Sequence, residues 1–135
     1  MEKLLKYFEN DNFACKNHIK LIEANKGKAK AEMVIKQGHL NSLGTVHGGA
    51  IFTLADFTFA AAANSHGNVS VAINAHISFM KAAYKGTLLA EAEEISINPK
   101  IATYTVKIKD QRGDIIAIFQ GMAYRKKDKL NLTKE

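Results

Sequence analysis

The 135-residue sequence contains one cysteine, one proline and no tryptophan. The lone thiol, Cys15, has no partner in the chain for a disulfide, so the fold does not depend on an oxidising compartment. The only proline, Pro99, sits in the turn Asn98-Pro99-Lys100, and no proline-rich linker, repeat or low-complexity tract divides the chain. A single domain over residues 1–135 is expected. Long apolar runs are also missing. The longest, residues 54–63, is interrupted by Asp56 and Thr58 and is shorter than the roughly 20 residues that cross a bilayer. The opening MEKLLKYFENDNF alternates charged and apolar residues and lacks the continuous apolar core of a signal peptide. A cytoplasmic protein with no membrane partner is expected. The five histidines show no paired ligand spacing and the thiol is isolated, so neither a metal nor a cofactor is expected.

Charge is present in excess of one sign, +6 at pH 7, which raises the possibility of nucleic acid. The basic residues are scattered, however: Lys26, Lys28 and Lys30 near one turn, Lys107 and Lys109 on one strand, Arg125 to Lys129 near the end. No basic helix or aromatic–basic stripe appears, so they read as a solvated surface and no nucleic-acid partner is expected. The same balance suits a small anionic ligand that carries phosphates.

Periodicity supplies the elements. Residues 2–9 read as a short amphipathic helix, and 18–24 with 28–36 as a hairpin about Asn25-Lys26-Gly27. A glycine-bearing loop, 37–49, leads into an apolar helix over 50–64, which Ser65-His66-Gly67-Asn68 stops. The period then changes to two. Val69, Val71, Ile73, Ala75, Ile77 and Phe79 alternate with Ser70, Ala72, Asn74, His76 and Ser78, and strands follow over 87–97, 101–109 and 115–125. The alternation slips at Glu93-Glu94, which predicts a bulge or bend. A helix apolar on most faces must be wrapped, and a curved antiparallel sheet folded round it is the economical solution. The expected class is α+β.

The segment HGGAIFTLAD, residues 47–56, carries the chemistry. Gly48 and Gly49 stand where the helix begins, and glycine lets another molecule approach the backbone closely. The first turn of a helix offers unpaired N–H groups and the positive end of the dipole, a site for an anion or a polarised carbonyl oxygen. Asp56 is a carboxylate among apolar side chains, a placement that costs several kcal/mol unless something offsets it, roughly the range known for buried charges. It lies two turns beyond Gly49, roughly 10 Å along the axis, too far to reach a carbonyl carbon held at its own helix start. Two antiparallel helices from two chains would bring Asp56 of one to Gly48 and Gly49 of the other. The structural alternatives are a core Asp56 bonded to Thr53 or a backbone N–H, a His47 that merely orders the loop, and an Asn41 that is a turn residue. Asn74 and His76 belong to the polar face of their strand.

At Asn41-Ser-Leu-Gly-Thr-Val-His47-Gly48-Gly49, followed by Asp56 and Ala62-Ala63-Asn64-Ser65, the sequence resembles the hotdog-fold acyl-CoA thioesterases, closest to their phenylacetate-degradation (PaaI-type) branch. The resemblance runs from about Gly38 to the last strand. It implies a long central helix wrapped by a curved antiparallel sheet, a homodimer with two shared active sites, and further assembly to a homotetramer. It implies Asp56 as nucleophile or general base, the Gly48 N–H on the thioester oxygen, and His47 and Asn41 as positioning groups. Gly49 and Ser70 would touch the substrate, with Ala72 the other occupant of the serine's slot. From charge alone, Lys81, Lys85 and Arg125 would meet the coenzyme A phosphates. The implied activity is hydrolysis of an aryl- or medium-chain acyl-CoA, with Phe52, Phe57, Phe59 and Phe79 as pocket walls or core. The alternatives are a non-catalytic acyl-CoA-binding module and a hotdog hydratase or dehydratase. The hydratases' proline-rich segment has no counterpart near His47.

Overall fold

Small side chains on one face of a sheet let a helix lie close against it, and alanine supplies most of them here. The computed structural model describes residues 1–133. Its elements are α1 (Glu2–Phe8), α2 (Asn12–Lys16), β1 (Ile19–Asn25), β2 (Lys28–Val34), a 3-10 turn (Gln37–His39), α3 (Gly48–Asn64), β3 (Asn68–Phe79), β4 (Thr87–Ile97), β5 (Ile101–Lys109) and β6 (Ile115–Lys129). The six strands form one antiparallel sheet in the order β1-β2-β4-β5-β6-β3. Ala29, Ala31 and Met33 of β2, Leu88, Ala90 and Ala92 of β4, and Ala102, Tyr104, Val106 and Ile108 of β5 are buried beneath α3. From β6, Ala117, Phe119 and Ala123 join them. This is the hotdog arrangement, α+β in class.

Phe59 is the centre of that packing. Its ring lies 5.7 Å from Tyr104 and 5.6 Å from Phe119, centroid to centroid. The strand opposite has to be bare: a Cβ on Gly121 would come within 2.8 Å of both Phe59 and Phe119. The apolar helix expected from sequence is thus wrapped. Leu54, Ala55, Phe57, Thr58, Phe59 and Ala61 to Asn64 are all buried, and the buried Thr58 hydroxyl is satisfied by donating to the Leu54 carbonyl at 2.7 Å.

Several expectations need correction. The helix starts at Gly48, not Ala50, because His47 caps it. Helix α2 falls in a stretch where periodicity predicts no element; Asp11 starts it by accepting the Ala14 N–H at 3.0 Å. β6 continues to Lys129 because Asn68 pairs with Lys129 and holds the charged tail in the sheet. The sheet bulges between Glu94 and Ser96, one residue from the predicted slip.

The alternation of β3 is overturned in half of the strand. A register shift between Ala72 and Asn74 puts the inward face on Ser70 and Ala72 before it, and on Ala75, Ile77 and Phe79 after it. Val71 consequently pairs beside Tyr124 on the outer face, and Ile73 sits in the bulge, 53% exposed. Asn74 and His76 do point outward, opposite Met122 and Gln120.

Candidate active site

The loop before α3 is built to hold a helix start in place. Asn41 knots its first turn: the side-chain oxygen accepts from the N–H groups of Leu43 (3.0 Å) and Thr45 (3.2 Å), and the side-chain nitrogen donates to the Thr45 hydroxyl at 3.0 Å. Both ends of the amide are therefore engaged within the loop. His39, which the sequence reading passed over, anchors the same segment from below. It is 4% exposed, accepts the Lys36 N–H on Nδ1 at 2.9 Å, and its Nε2 lies 2.9 Å from the Asn17 carbonyl. With Nδ1 an acceptor, the ring proton must sit on Nε2 and donate to Asn17. The His39 carbonyl in turn accepts the His47 N–H at 2.7 Å. No local pattern marks such a residue, because the Asn17 carbonyl that anchors its ring comes from 22 residues away.

His47 is the N-cap of α3. Its Nδ1 accepts the Gly49 N–H at 2.8 Å, so this nitrogen carries no proton and the exposed ring is free only at Nε2. This settles which glycine has a free donor. The Gly49 N–H is taken by His47, whereas the Gly48 N–H has no acceptor among the described residues. A cavity of about 310 Å³ adjoins Gly48, walled by Val46, Ile51, Phe79 and Met80 with Lys81 at its edge. A Cβ at position 48 would stand 3.3 Å from the exposed Phe79 ring, a tight contact that the ring could relieve by shifting a few tenths of an ångström.

Asp56 is half-buried, with Leu54, Ala55 and Phe57 around it in the chain fully or almost fully buried. No group among the described residues donates to its carboxylate. Thr53, the partner considered from sequence, donates to the Gly49 carbonyl at 2.7 Å instead. Burial raises the pKa of Asp56 above the ordinary 3.8, and the negative charge of Asp11 at the start of α2 raises it further. Asp56 and Gly48 are eight residues apart on one helix, roughly 12 Å along its axis. One chain therefore carries the carboxylate and the free N–H without bringing them together.

The other candidates divide between the two ends of β3. Lys81 lies past Phe79 at the Gly48 end, where it is paired with Asp114 and, at 3.7 Å, with Asp110. Lys85 is exposed beside it and lines, with Lys81, Tyr84, Asp110 and Arg112, a cavity of about 560 Å³. Ser70 and Arg125 are cross-strand neighbours at the opposite end. Nine residues of strand, about 30 Å, separate Ser70 from Phe79. Asn64 holds Ser70 by its backbone, accepting its N–H at 2.8 Å, and Arg125 donates to the Asn98 carbonyl at 3.0 Å. The Ser70 hydroxyl and Arg125 Nε are buried without a partner among the described residues. Of the four phenylalanines proposed as walls, Phe59 and Phe52 stack on Phe119, Phe79 borders the Gly48 cavity, and Phe57 faces a separate groove.

Residues 43–117 match the family model of the thioesterase superfamily. A protein of Archaeoglobus fulgidus is 44% identical over 119 residues, spanning 87% of this chain and 77% of that one. The acyl-coenzyme A thioesterase PaaI of Escherichia coli is 34% identical over 119 residues, 87% of this chain and 85% of its own. The solved structure of the E. coli PaaI protein, from the phenylacetic acid degradation operon, superposes with a TM-score of 0.90 at 31% identity, covering 95% of this chain and 96% of that one.

Proposed function

The chain is a thioester hydrolase of the thioesterase superfamily, on the PaaI-type branch of the hotdog fold, and from that premise we propose that it cleaves aryl- or medium-chain acyl-coenzyme A in a site shared by two subunits. The observation that carries this reading is a pair of unsatisfied groups on one helix. Among the described residues the half-buried Asp56 carboxylate has no donor and the Gly48 N–H has no acceptor, and the two stand about 12 Å apart. A thioester carbonyl between a Gly48 and an Asp56 of two antiparallel copies would satisfy both.

The steps follow from those groups. The Gly48 N–H, with the helix dipole behind it, takes the carbonyl oxygen as negative charge develops there. Asp56 of the partner subunit either attacks the carbonyl carbon itself or takes a proton from the attacking water. With water as the nucleophile, its oxygen bonds to the carbonyl carbon, the carbon–sulfur bond breaks, and the proton held by Asp56 passes to the departing thiolate. With Asp56 as the nucleophile, the carbon–sulfur bond breaks to give a mixed anhydride and a thiolate. Water then hydrolyses the anhydride, freeing the acid and the Asp56 carboxylate while its proton goes to the thiolate. Thiolate leaves readily, so no strong general acid is required. A raised pKa makes Asp56 a better base than an ordinary carboxylate. His47 fixes the helix start and Asn41 the loop, which makes both positioning residues.

The second subunit has an obvious seat. β3 is an edge strand of 12 residues, exposed over most of its length, with Val71 and Ile73 about half exposed. A long apolar edge left bare would invite uncontrolled pairing. Antiparallel pairing of two β3 strands continues the sheet and sets the two α3 helices antiparallel. Pairing of such dimers into a tetramer is proposed on the outer corner of Val71, Met122 and Tyr124. Lys85, together with Lys81 and Arg112, would meet the coenzyme A phosphates at the mouth of the Gly48 cavity.

The test is thiol release from a panel of aryl and straight-chain acyl-CoAs by wild type and Asp56→Asn. Wild type should cleave at least one member well, and the variant should lose about a thousandfold in kcat, on the order of 4 kcal/mol, with its fold intact. Equal rates would assign Asp56 a structural role, and no cleavage by either protein would favour a module that only binds acyl-CoA.

A further inference from the structure

We propose that the basic end of β6, Arg125 to Lys129, completes the coenzyme A phosphate site of the partner subunit, so that the chain supplying Asp56 to a shared site also supplies most of the positive charge at its mouth. The proposal rests on the shared-site reading above and on the pairing of two β3 strands that it uses.

The strand ladder supplies the geometry. Beyond Tyr124, its last residue paired with β5, β6 continues alongside β3. Ser70 pairs with Arg125 and Asn68 with Lys129, and the Asn68 side chain donates to the Lys126 carbonyl at 3.2 Å. The basic residues are therefore fixed at the first end of β3. Phe79, at the other end, borders the Gly48 cavity. Within one chain these ends lie about 30 Å apart. Antiparallel pairing of two β3 strands over their full length closes that distance, because Asn68 of one comes opposite the partner's Phe79. β6 is the next strand inward from β3, and strands lie about 4.8 Å apart, so Lys129 arrives two spacings, roughly 10 Å, from the partner's Phe79. The strand end that is remote from Gly48 of its own chain thus returns to a Gly48 through the partner.

Charge points the same way. At the Gly48 end Lys81 is already paired with Asp110 and Asp114, which leaves Lys85 and Arg112 as the cations of the adjoining cavity without an ion pair among the described residues. The diphosphate and 3′-phosphate of coenzyme A carry more charge than those two offset. The β6 end holds Arg125, Lys126, Lys127 and Lys129 against one carboxylate, Asp128, and none of the four cations is in an ion pair among the described residues. Arg125 donates to the Asn98 carbonyl and Lys129 to the Asn68 side chain, while Lys126 and Lys127 are exposed. Two basic surfaces brought together across a subunit boundary repel one another, and a polyanion lying between them turns that cost into affinity. The ligand selected is the phosphate-bearing end of coenzyme A, not the acyl group.

Two measurements decide it. Lys126→Glu together with Lys127→Glu reverses two exposed charges. KM for an acyl-CoA that wild type cleaves should rise roughly tenfold, the lower end of what a focused field adds to ligand capture, and added salt should narrow the gap, with kcat unchanged. The N-acetylcysteamine thioester of the same acid, which has no phosphate, should be cleaved as by wild type. An unchanged KM for the acyl-CoA overturns the proposal, and so does an equal loss on both thioesters. The second measurement places the charge. Asp56→Asn and Gly48→Pro chains refolded together form mixed dimers whose working site takes its carboxylate from the Gly48→Pro chain. The two reversals should raise KM at that site when the Gly48→Pro chain carries them and not when the Asp56→Asn chain does. The opposite result overturns the proposal. If wild type cleaves no thioester at all, the hydrolase reading fails by itself, and calorimetry with free coenzyme A decides instead. A Kd raised roughly tenfold by the reversals then supports the β6 site, and an equal Kd overturns it.

Discussion

At the scale of single residues, the proposed chemistry rests on one carboxylate, and a second acts on it. Asp56 is held above its ordinary pKa of 3.8 first by burial and then by the charge of Asp11. If Asp56 must be ionised to act, kcat/KM rises with pH through its pKa, so the acid limb of the profile lies above the usual carboxylate range. Asp11→Asn removes the charge and keeps the cap, because asparagine accepts the Ala14 N–H as aspartate does. The pKa of Asp56 should then drop toward 3.8 and the limb should move to lower pH, with the plateau rate little changed. A pH–rate profile of the two proteins checks this, and an unmoved limb would show that Asp11 does not act on the reacting group. The division of labour between the two glycines is also a single-residue matter. It could not be assigned from HGG alone, since it depends on His47 Nδ1 turning back to Gly49 and leaving Gly48 free.

At the scale of elements, Asn64 joins the end of α3 to the start of β3. It is 8% exposed, its side-chain nitrogen donates to the Ala60 carbonyl (2.8 Å) and the Ser70 carbonyl (3.3 Å), and its oxygen accepts the Ser70 N–H. Asn64→Ala would strand both polar groups of Ser70 next to the core, an expected loss of about 2–3 kcal/mol in urea unfolding. A loss below half a kcal/mol would mean water replaces the amide freely. Such tertiary bonds explain what periodicity could and could not reveal. The strands over 87–97 and 101–109 coincide with β4 and β5 because hydrophobic alternation there answers to one buried face. The alternation in β3 misled because the bulge after Ala72 exchanges its faces, and the bulge is a property of the pairing with β6. α2 has five residues, too few to show a helical period, and its one sequence signal was the capping residue Asp11. Asp56 and Gly48 stand out as candidates since one is a charge in an apolar helix and the other a glycine at its start. His39 and Asp11 carry no such mark, and their roles emerge only once the chain has folded.

At the scale of the whole molecule, the proposed mechanism makes activity a property of two chains, because Gly48 and Asp56 of one chain stand too far apart to serve one carbonyl. A two-fold dimer built on the β3 edges contains each site twice, with Gly48 and Asp56 of any one site on different subunits. Two variants, each inactive, can therefore repair one another. Asp56→Asn removes the carboxylate. Gly48→Pro removes the N–H at the first helical position, where proline is well accepted, and His47 already has the extended backbone, φ −57° and ψ 135°, that precedes a proline without clash. A mixed dimer of the two holds one site with both defects and one with neither. Random reassortment of equal amounts makes half of the dimers mixed, so about a quarter of wild-type activity should return. The measurement is thiol release after the two purified variants are unfolded together and refolded, against each refolded alone, with light scattering to verify the dimers. Recovery places the two groups on different chains. Absence of recovery, with dimers present, would require Gly48 and Asp56 to serve one site within a single chain, which the roughly 12 Å between them on a rigid helix does not allow without some other group acting in place of one of them.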